Sequence, residues 1–213
     1  MKFDRLLEIV GEEPVFEAGL LLAGDVDPED VRRQLSRWVE AGRLYQLRRG
    51  LYALAPPYQR VRPHPFLVAN LLVRGSYVSL QAALAHYNLI PEYVPVTTSV
   101  TPGRPYHRDT PLGSYWFRHL RKDLLTGYRR TELARGQEAL VATPEKALLD
   151  LLYLEPDADT EDYLNELRLQ HMETLDLAEL HRLAEQSGKP KLLRAAERVA
   201  RLAETEAREY QPL

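Results

Sequence analysis

Three charged residues in the segment 143–150 have the types and spacing that could do chemistry. The segment reads TPEKALLD and contains Glu145, Lys146 and Asp150. Carboxylates beside a lysine can take part in acid–base catalysis. A structural role accounts for them equally well, because Lys146 and Asp150 are spaced to pair on a helix and Glu145 would sit in its favourable first turn. The sequence favours the structural interpretation, with catalysis as the alternative.

Other catalytic and metal-binding chemistry has no signal in the chain. The absence of cysteine excludes disulfides, thiolate metal sites and thiol nucleophiles. No HExxH spacing, phosphate-binding loop or nucleophile elbow occurs. We therefore predict no metal, no cofactor and no enzymatic activity. The histidines, none of which has metal-ligand spacing, are His64, His86, His107, His119, His171 and His181.

Positive charge is concentrated near the N-terminus. The whole chain has a net charge of -3, and its first 30 residues hold nine acids against Lys2 and Arg5. Residues 32–49 then contain six arginines and a single acid, Glu40. Such a local reversal is typical of a surface that binds nucleic acid, although a solvated helix face is the simpler alternative.

The elements that carry these arginines predict a winged helix-turn-helix. Apolar periodicity favours short helices over residues 3–10 and 14–24. A third helix over 28–41 has Asp27 as its N-cap and proline at its first position. The segment GRLYQLRRGLYAL, residues 42–54, then reads as a hairpin with a glycine turn. In this motif the helix that follows the turn enters the major groove of DNA.

The third predicted helix has one apolar side and one polar side. Val31, Leu35 and Trp38 fall together at helical spacing and should face the other helices. Arginine on the opposite side could bond guanine edges, and the hairpin turn could lie beside phosphates. The candidate DNA-contacting residues are Arg33 and Arg37 on that side of the helix, Arg32 and Ser36 on its flank, and Arg48 and Arg49 in the turn.

A second domain is predicted after a proline-containing linker, with the boundary giving domains 1–57 and 58–213. Helical patterns and valine- or threonine-rich runs alternate in it, so the fold class is α+β with a helical tail from about residue 160. Predicted strands cover 94–101, 113–120, 128–133 and 139–142; a helix begins at 144, and tail helices cover 160–169, 176–187 and 190–209.

The last predicted helix carries a basic stripe opposite its apolar side. We interpret the stripe as solvated surface, with a second contact to nucleic acid or an acidic partner as the alternative. Its residues are Lys191, Arg194, Arg198 and Arg201. No apolar run approaches the roughly 18 residues that cross a bilayer, so a cytoplasmic protein without a membrane partner is expected.

Several segments, in order, resemble the AbiEi-type antitoxins of type IV toxin–antitoxin systems. They are GRLYQLRRGLYAL, YVSLQAALAHYNLIPE, VTTSVTPGR, LLTGYRR and ALVATPEKALLDLLYL, and the likeness covers roughly residues 3–155. It implies a bacterial autorepressor that binds inverted repeats of double-stranded promoter DNA through its winged helix. The second domain would then neutralise a nucleotidyltransferase-like toxin, without needing a stable complex, in abortive infection that defends against phage.

Two other functions fit the same residues. The chain could be an antitoxin that modifies its toxin enzymatically through Glu145, Lys146 and Asp150. It could also be a plain winged-helix regulator whose second domain binds a protein partner. The resemblance favours the autorepressor and antitoxin, and it carries no catalytic residues over to the TPEKALLD segment.

Overall fold

A computed structural model describes residues 1–22 and 27–209 of the chain. Within these residues the fold is α+β, as predicted, with eight α-helices and two separate β-sheets. No helix of the described part is long and apolar enough to cross a membrane.

The N-terminal segment builds a three-stranded antiparallel sheet flanked by two helices. The strands lie in the order β1-β3-β2, so the hairpin strands β2 and β3 are neighbours. The elements are α1 (Phe3–Val10), β1 (Phe16–Glu17), α2 (Pro28–Glu40), β2 (Leu44–Arg48) and β3 (Leu51–Leu54). The hairpin and the helices at 3–10 and 28–41 confirm the sequence predictions.

Helix α2 begins where the capping residues predicted. The Asp27 side chain accepts a hydrogen bond from the backbone N–H of Glu29 at 2.8 Å, and Pro28 occupies the first turn. An acid at this position also interacts favourably with the helix dipole. Leu35 and Trp38 are buried on its inner side, where the Trp38 ring meets Phe3 of α1 edge-on, with 5.2 Å between the ring centroids.

The helix predicted over residues 14–24 is wrong. Residues Phe16 and Glu17 form β1 instead, paired with Tyr52 and Leu51 of β3, and a single 3-10 turn follows over Ala18–Leu21. The Phe16 ring stacks on Tyr52 with 5.9 Å between the centroids, so pairing with β3 outweighs the weak local preference for helix. The predicted end near Gly24 lies outside the described residues.

The second sheet is mixed and has six strands in the order β6-β7-β5-β4-β9-β8. The pairs β5/β7 and β4/β9 are parallel and the other neighbours are antiparallel. The strands are β4 (Tyr77–Val78), β5 (Val96–Thr101), β6 (Tyr106–Thr110), β7 (Gly113–His119), β8 (Tyr128–Glu132) and β9 (Glu138–Ala142). Strands β5, β7, β8 and β9 confirm the predictions.

Six helices accompany this sheet. Helix α5 is central, because its residues from Glu145 to Leu152 are buried and it packs against α4, α7 and α8. These helices are α3 (Pro65–Leu72), α4 (Leu80–His86), α5 (Pro144–Leu154), α6 (Glu161–Glu166), α7 (Leu177–Gln186) and α8 (Pro190–Glu209). The predicted tail helices are confirmed within a few residues of their ends.

The N-terminal hairpin belongs to two hydrophobic cores. One core joins α1, α2 and the strands through side chains such as Leu6, Leu35 and Tyr52. Leu47, Leu51 and Ala53, together with Val15, belong to the other core, which also includes residues of the second sheet and its helices. The hairpin is therefore packed on both sides and its position is fixed by the rest of the fold.

Candidate nucleic-acid interface

The exposed side of α2 carries the predicted DNA-contacting residues of the helix. Arg33 and Arg37 lie opposite Leu35 and Trp38, which anchor the helix to the core, and Arg32 and Ser36 lie on the flank between. These side chains form a polar surface along the helix. The residues on it are Arg32, Arg33 and Arg37, which are exposed, together with the exposed Ser36.

The three arginines of this surface differ in how far their charge is neutralised. Arg33 forms an ion pair with Asp30, one helical turn earlier. Among the described residues, no acid lies within ion-pair distance of Arg32 or Arg37. These two guanidinium groups therefore present the larger uncompensated charge.

Arg48 in the hairpin is held by other parts of the chain. Its Nε donates to the backbone carbonyl of Leu71, at the end of α3, over 3.1 Å. One terminal nitrogen donates to the Arg49 carbonyl at 3.1 Å and the other to Glu17 at 3.3 Å. Its side chain is only 30% exposed. Arg48 thus positions the hairpin against α3, a role that the sequence did not reveal.

Arg49 is the exposed cation at the tip of the hairpin. In the described part of the chain its side chain makes no ion pair or hydrogen bond, in contrast to Arg48. Gly50 follows with φ of +79°, a left-handed conformation that strains any residue with a side chain. Arg49 is therefore an exposed cation at the tip of the turn, and its contact to phosphate stays a prediction.

Glu17 connects the hairpin to the loop after α3. Its carboxylate accepts from Arg74 at 2.7 Å and from Arg48 at 3.3 Å. The hydrogen bond from Arg74 and the charges of both arginines lower the pKa of Glu17, although partial burial opposes the shift. Sequence reasoning missed this contact because Arg74 is far away along the chain.

Replacing Glu17 with glutamine should change how stability depends on pH. A carboxyl whose pKa is lowered by folding stabilises the fold above its unfolded pKa, and that contribution is lost as the pH falls through the folded value. We expect E17Q to lose less than about 1 kcal/mol at neutral pH, since solvent screens the contact. The difference should shrink towards about pH 3 in urea unfolding. A difference that does not change with pH would contradict the assignment.

A second arginine fixes the hairpin to the large sheet. Arg108 on β6 donates from Nε to the Leu47 carbonyl of β2 at 3.0 Å. Strand β2 lies beside β6, so this bond bridges two strand edges. Local sequence patterns give no signal for such a pair, because hydrogen bonds between distant residues leave no periodicity.

The basic stripe of α8 is partly used for packing. Lys191 donates from Nζ to the Glu155 carbonyl, and Arg194 pairs with Asp159 at 2.7 Å. Arg198 is half-buried and Arg201 is exposed. Because two of the four cations hold α8 to the 155–159 segment, the stripe offers less free charge than the sequence indicates.

The TPEKALLD segment forms a buried polar network. Lys146 pairs with Asp150, and Asp150 also accepts from the Tyr77 hydroxyl at 2.9 Å and the Ser79 hydroxyl at 2.8 Å. Burial raises the pKa of Asp150, and the Lys146 ammonium and the two hydroxyls oppose that shift. Burial and the neighbouring carboxylate raise the pKa of Tyr77, so its hydroxyl keeps the proton that it donates.

Glu145 makes a separate structural contact. Its carboxylate accepts from the backbone N–H of Asp176 at 3.0 Å, just before α7 begins. Lys146 and Asp150 line a cavity of about 60 Å³. This cavity is too small for a nucleotide. Within the described residues, no group of three or more acids or histidines could hold a metal ion. The three charged residues thus have structural partners, as the favoured interpretation predicted.

Comparison with known proteins gives a fold relative. No protein-family model matches the sequence, and no curated protein matches it significantly. Among solved structures, the chain is similar to the crystal structure of the RV2827C protein from Mycobacterium tuberculosis. The TM-score is 0.56 at 20% sequence identity, and the match covers 94% of this chain and 76% of that one. The two chains share a fold.

Proposed function

We propose that this protein is a DNA-binding transcriptional autorepressor and antitoxin of the AbiEi type. The observation that carries the proposal is the exposed surface of α2, where Arg37 lies opposite the buried apolar side and Arg32 on its flank. Beside it, the hairpin projects Arg49 from its turn. Cations on a firmly held helix can bond the base edges of a duplex, and a cation on an adjacent turn can bond its phosphates.

In this proposal the N-terminal segment works as a winged helix. Helix α2 is the recognition helix, α1 supports it through the Phe3–Trp38 contact, and the hairpin is the wing. The 3-10 turn Ala18–Leu21 takes the place usually held by another α-helix. Arg48 and Arg108 stiffen the wing, which limits the conformational entropy lost when DNA binds.

Substitution of Arg49 tests the assignment of the wing. A contact to phosphate contributes affinity without reading sequence. We expect R49A to weaken binding to the promoter and to scrambled DNA by similar factors, and to lower the log–log salt slope by about 0.9. Fluorescence anisotropy titrations at several salt concentrations measure both quantities. A loss confined to the promoter sequence would instead assign Arg49 to a base edge.

Antitoxin activity is the second half of the proposal and rests on the resemblance of the five segments. Its partners would be promoter DNA and a nucleotidyltransferase-like toxin, in the bacterial cytoplasm. Co-expression of the toxin with the full chain, beside a promoter reporter, separates the two activities. The R32A/R37A variant should lose repression and still protect the cells. Failure of the unmodified chain to protect against the toxin encoded beside it would refute antitoxin activity.

Enzymatic modification of the toxin is distinguished from this proposal by mass. Lys146 and Asp150 are engaged in a buried network, and Glu145 holds the start of α7. We therefore expect the toxin to keep its mass after incubation with this protein and nucleotide. A mass increase that requires Lys146 would favour the catalytic alternative.

A further inference from the structure

The two edge strands of the six-stranded sheet differ in how far other strands of the chain cover them. At one end, β6 lies beside β2, and Arg108 bonds the Leu47 carbonyl across the gap. At the other end, β8 pairs with β9 alone. Four of the five residues of β8 are exposed, and no other strand of the described chain covers its outer edge. An uncovered edge offers unpaired N–H and C=O groups to another strand.

The hydrogen bonds that flank β8 show which of its residues face outward. The backbone N–H of Thr143 donates to the Gly127 carbonyl at 2.9 Å, and the backbone N–H of Leu133 donates to the Gln137 carbonyl at 2.6 Å. Bonded and non-bonded pairs alternate along an antiparallel ladder, so odd-numbered residues of β8 bond β9. The backbone groups of Tyr128, Arg130 and Glu132 therefore point away from β9.

Side-chain contacts of β9 support the same alternation of bonded and non-bonded pairs. Leu140, opposite Arg130 in the ladder, has its N–H and carbonyl bonded to the Asn70 side chain at 2.5 and 3.4 Å. Its backbone groups are thus turned away from β8. This places Arg130 in a non-bonded pair and leaves its own backbone groups on the open edge.

When two copies of this edge are paired antiparallel, one register brings opposite charges together. If a second copy pairs antiparallel with Thr131 opposite Thr131, Arg130 lies opposite Glu132 of that copy, and the two-fold axis repeats the pair. The register that puts Arg130 opposite itself, and the one that puts Arg129 opposite itself, each place like charges together. Opposite charges across a strand pair stabilise it and like charges destabilise it.

Glu132 lacks a cationic partner within the described part of its own chain. Its ladder neighbour is another acid, Glu138, which is already paired with Arg130 at 2.9 Å. The side chains of Arg130 and Glu138 are 72% and 50% exposed, so the guanidinium remains open to a second carboxylate. Pairing of two copies would place Arg130 directly across from Glu132 and relieve the repulsion between the two acids.

We propose that β8 is a dimerisation edge, where two copies of this chain join their six-stranded sheets antiparallel about Thr131. The outward backbone groups of Arg130 and Glu132 then exchange hydrogen bonds with those of the second copy. Because the strand is short, the interface is small and the dimer is weak, with a dissociation constant on the order of 100 µM. The inference rests on the strand edge and is independent of DNA binding.

Sedimentation velocity of the DNA-free chain, between about 10 and 500 µM, tests this edge. The average mass should rise towards that of a dimer. R130E and E132R should each weaken the dimer by at least about tenfold, because both ion pairs become like-charge pairs. The double variant R130E/E132R should restore it, since the opposite charges face each other again.

Charge reversal at the exposed Glu197 of α8 is the matched control, and E197R should leave the dissociation constant unchanged. Far-ultraviolet circular dichroism establishes that each variant is folded. A monomer throughout the concentration range would overturn the proposal. So would a dimer that R130E and E132R do not weaken, or a double variant no stronger than the single ones.

Discussion

Replacing Arg32 and Arg37 together with alanine is expected to weaken promoter binding by at least about 30-fold, if each guanidinium contributes 1–3 kcal/mol at a base edge. Both residues are exposed, so the variant should keep its fold. Anisotropy titration with the chain's own upstream DNA gives the change. Sequence preference should fall with affinity, because base-edge contacts are the ones removed.

Two single variants serve as controls for that experiment. R182A removes an exposed arginine of α7 that pairs with Glu179, and it should leave promoter affinity intact. R33A should have a smaller effect than R37A, because Arg33 is already paired with Asp30. Unchanged affinity in R32A/R37A would show that α2 is not the recognition helix.

Removal of the Lys146 ammonium is expected to cost the fold about 3–5 kcal/mol, the usual penalty for breaking a buried ion pair. Lys146 and Asp150 have side chains only 7% and 1% exposed, so the carboxylate left behind would stay largely desolvated. The hydroxyls of Tyr77 and Ser79 would remain as the partners of the carboxylate. Urea unfolding of K146A, with the wild-type chain as reference, measures the loss.

A double variant separates the charge effect from lost packing. K146M/D150N removes both charges, and the amide oxygen introduced at position 150 can still accept from the hydroxyls of Tyr77 and Ser79. We expect it to be more stable than K146A. A loss below about 1 kcal/mol in K146A would contradict a buried, paired lysine.

Local signals in the sequence predicted the elements that begin at capping residues. Helices α2 and α5 start where Asp27 and Thr143 accept hydrogen bonds from the backbone two or three residues later. The bonds close within one turn, so residue type alone reveals them. The hairpin turn was equally predictable, because Gly50 supplies the left-handed conformation that the turn needs.

Elements that depend on distant partners were not predictable in this way. Strand β1 exists because Phe16 pairs with Tyr52, and its apolar spacing also fits a helix. Strand β4 has only two residues, too few for a periodic pattern, and β6 reads YHRDT, which looks polar. Both strands were missed because neighbours in the sheet define them.

The candidate site shows the same division. Exposure of the arginines on α2 follows from helical periodicity, which is a local property. The different roles of Arg48 and Arg49 do not, because Leu71 and Glu17 distinguish the two residues from distant positions. The network around Asp150 was half predicted: Lys146 by its spacing on the helix, Tyr77 and Ser79 only by the fold.

The most direct test of DNA binding compares two labelled duplexes, the chain's own upstream region and a scrambled sequence of equal length, across a series of salt concentrations. The upstream duplex should bind at least about 10³-fold more tightly than the scrambled one at physiological salt. The logarithm of the affinity for either duplex should fall linearly with the logarithm of the salt concentration. Equal affinity for the two sequences, or affinity that does not depend on salt, would contradict recognition of DNA by α2 and the wing.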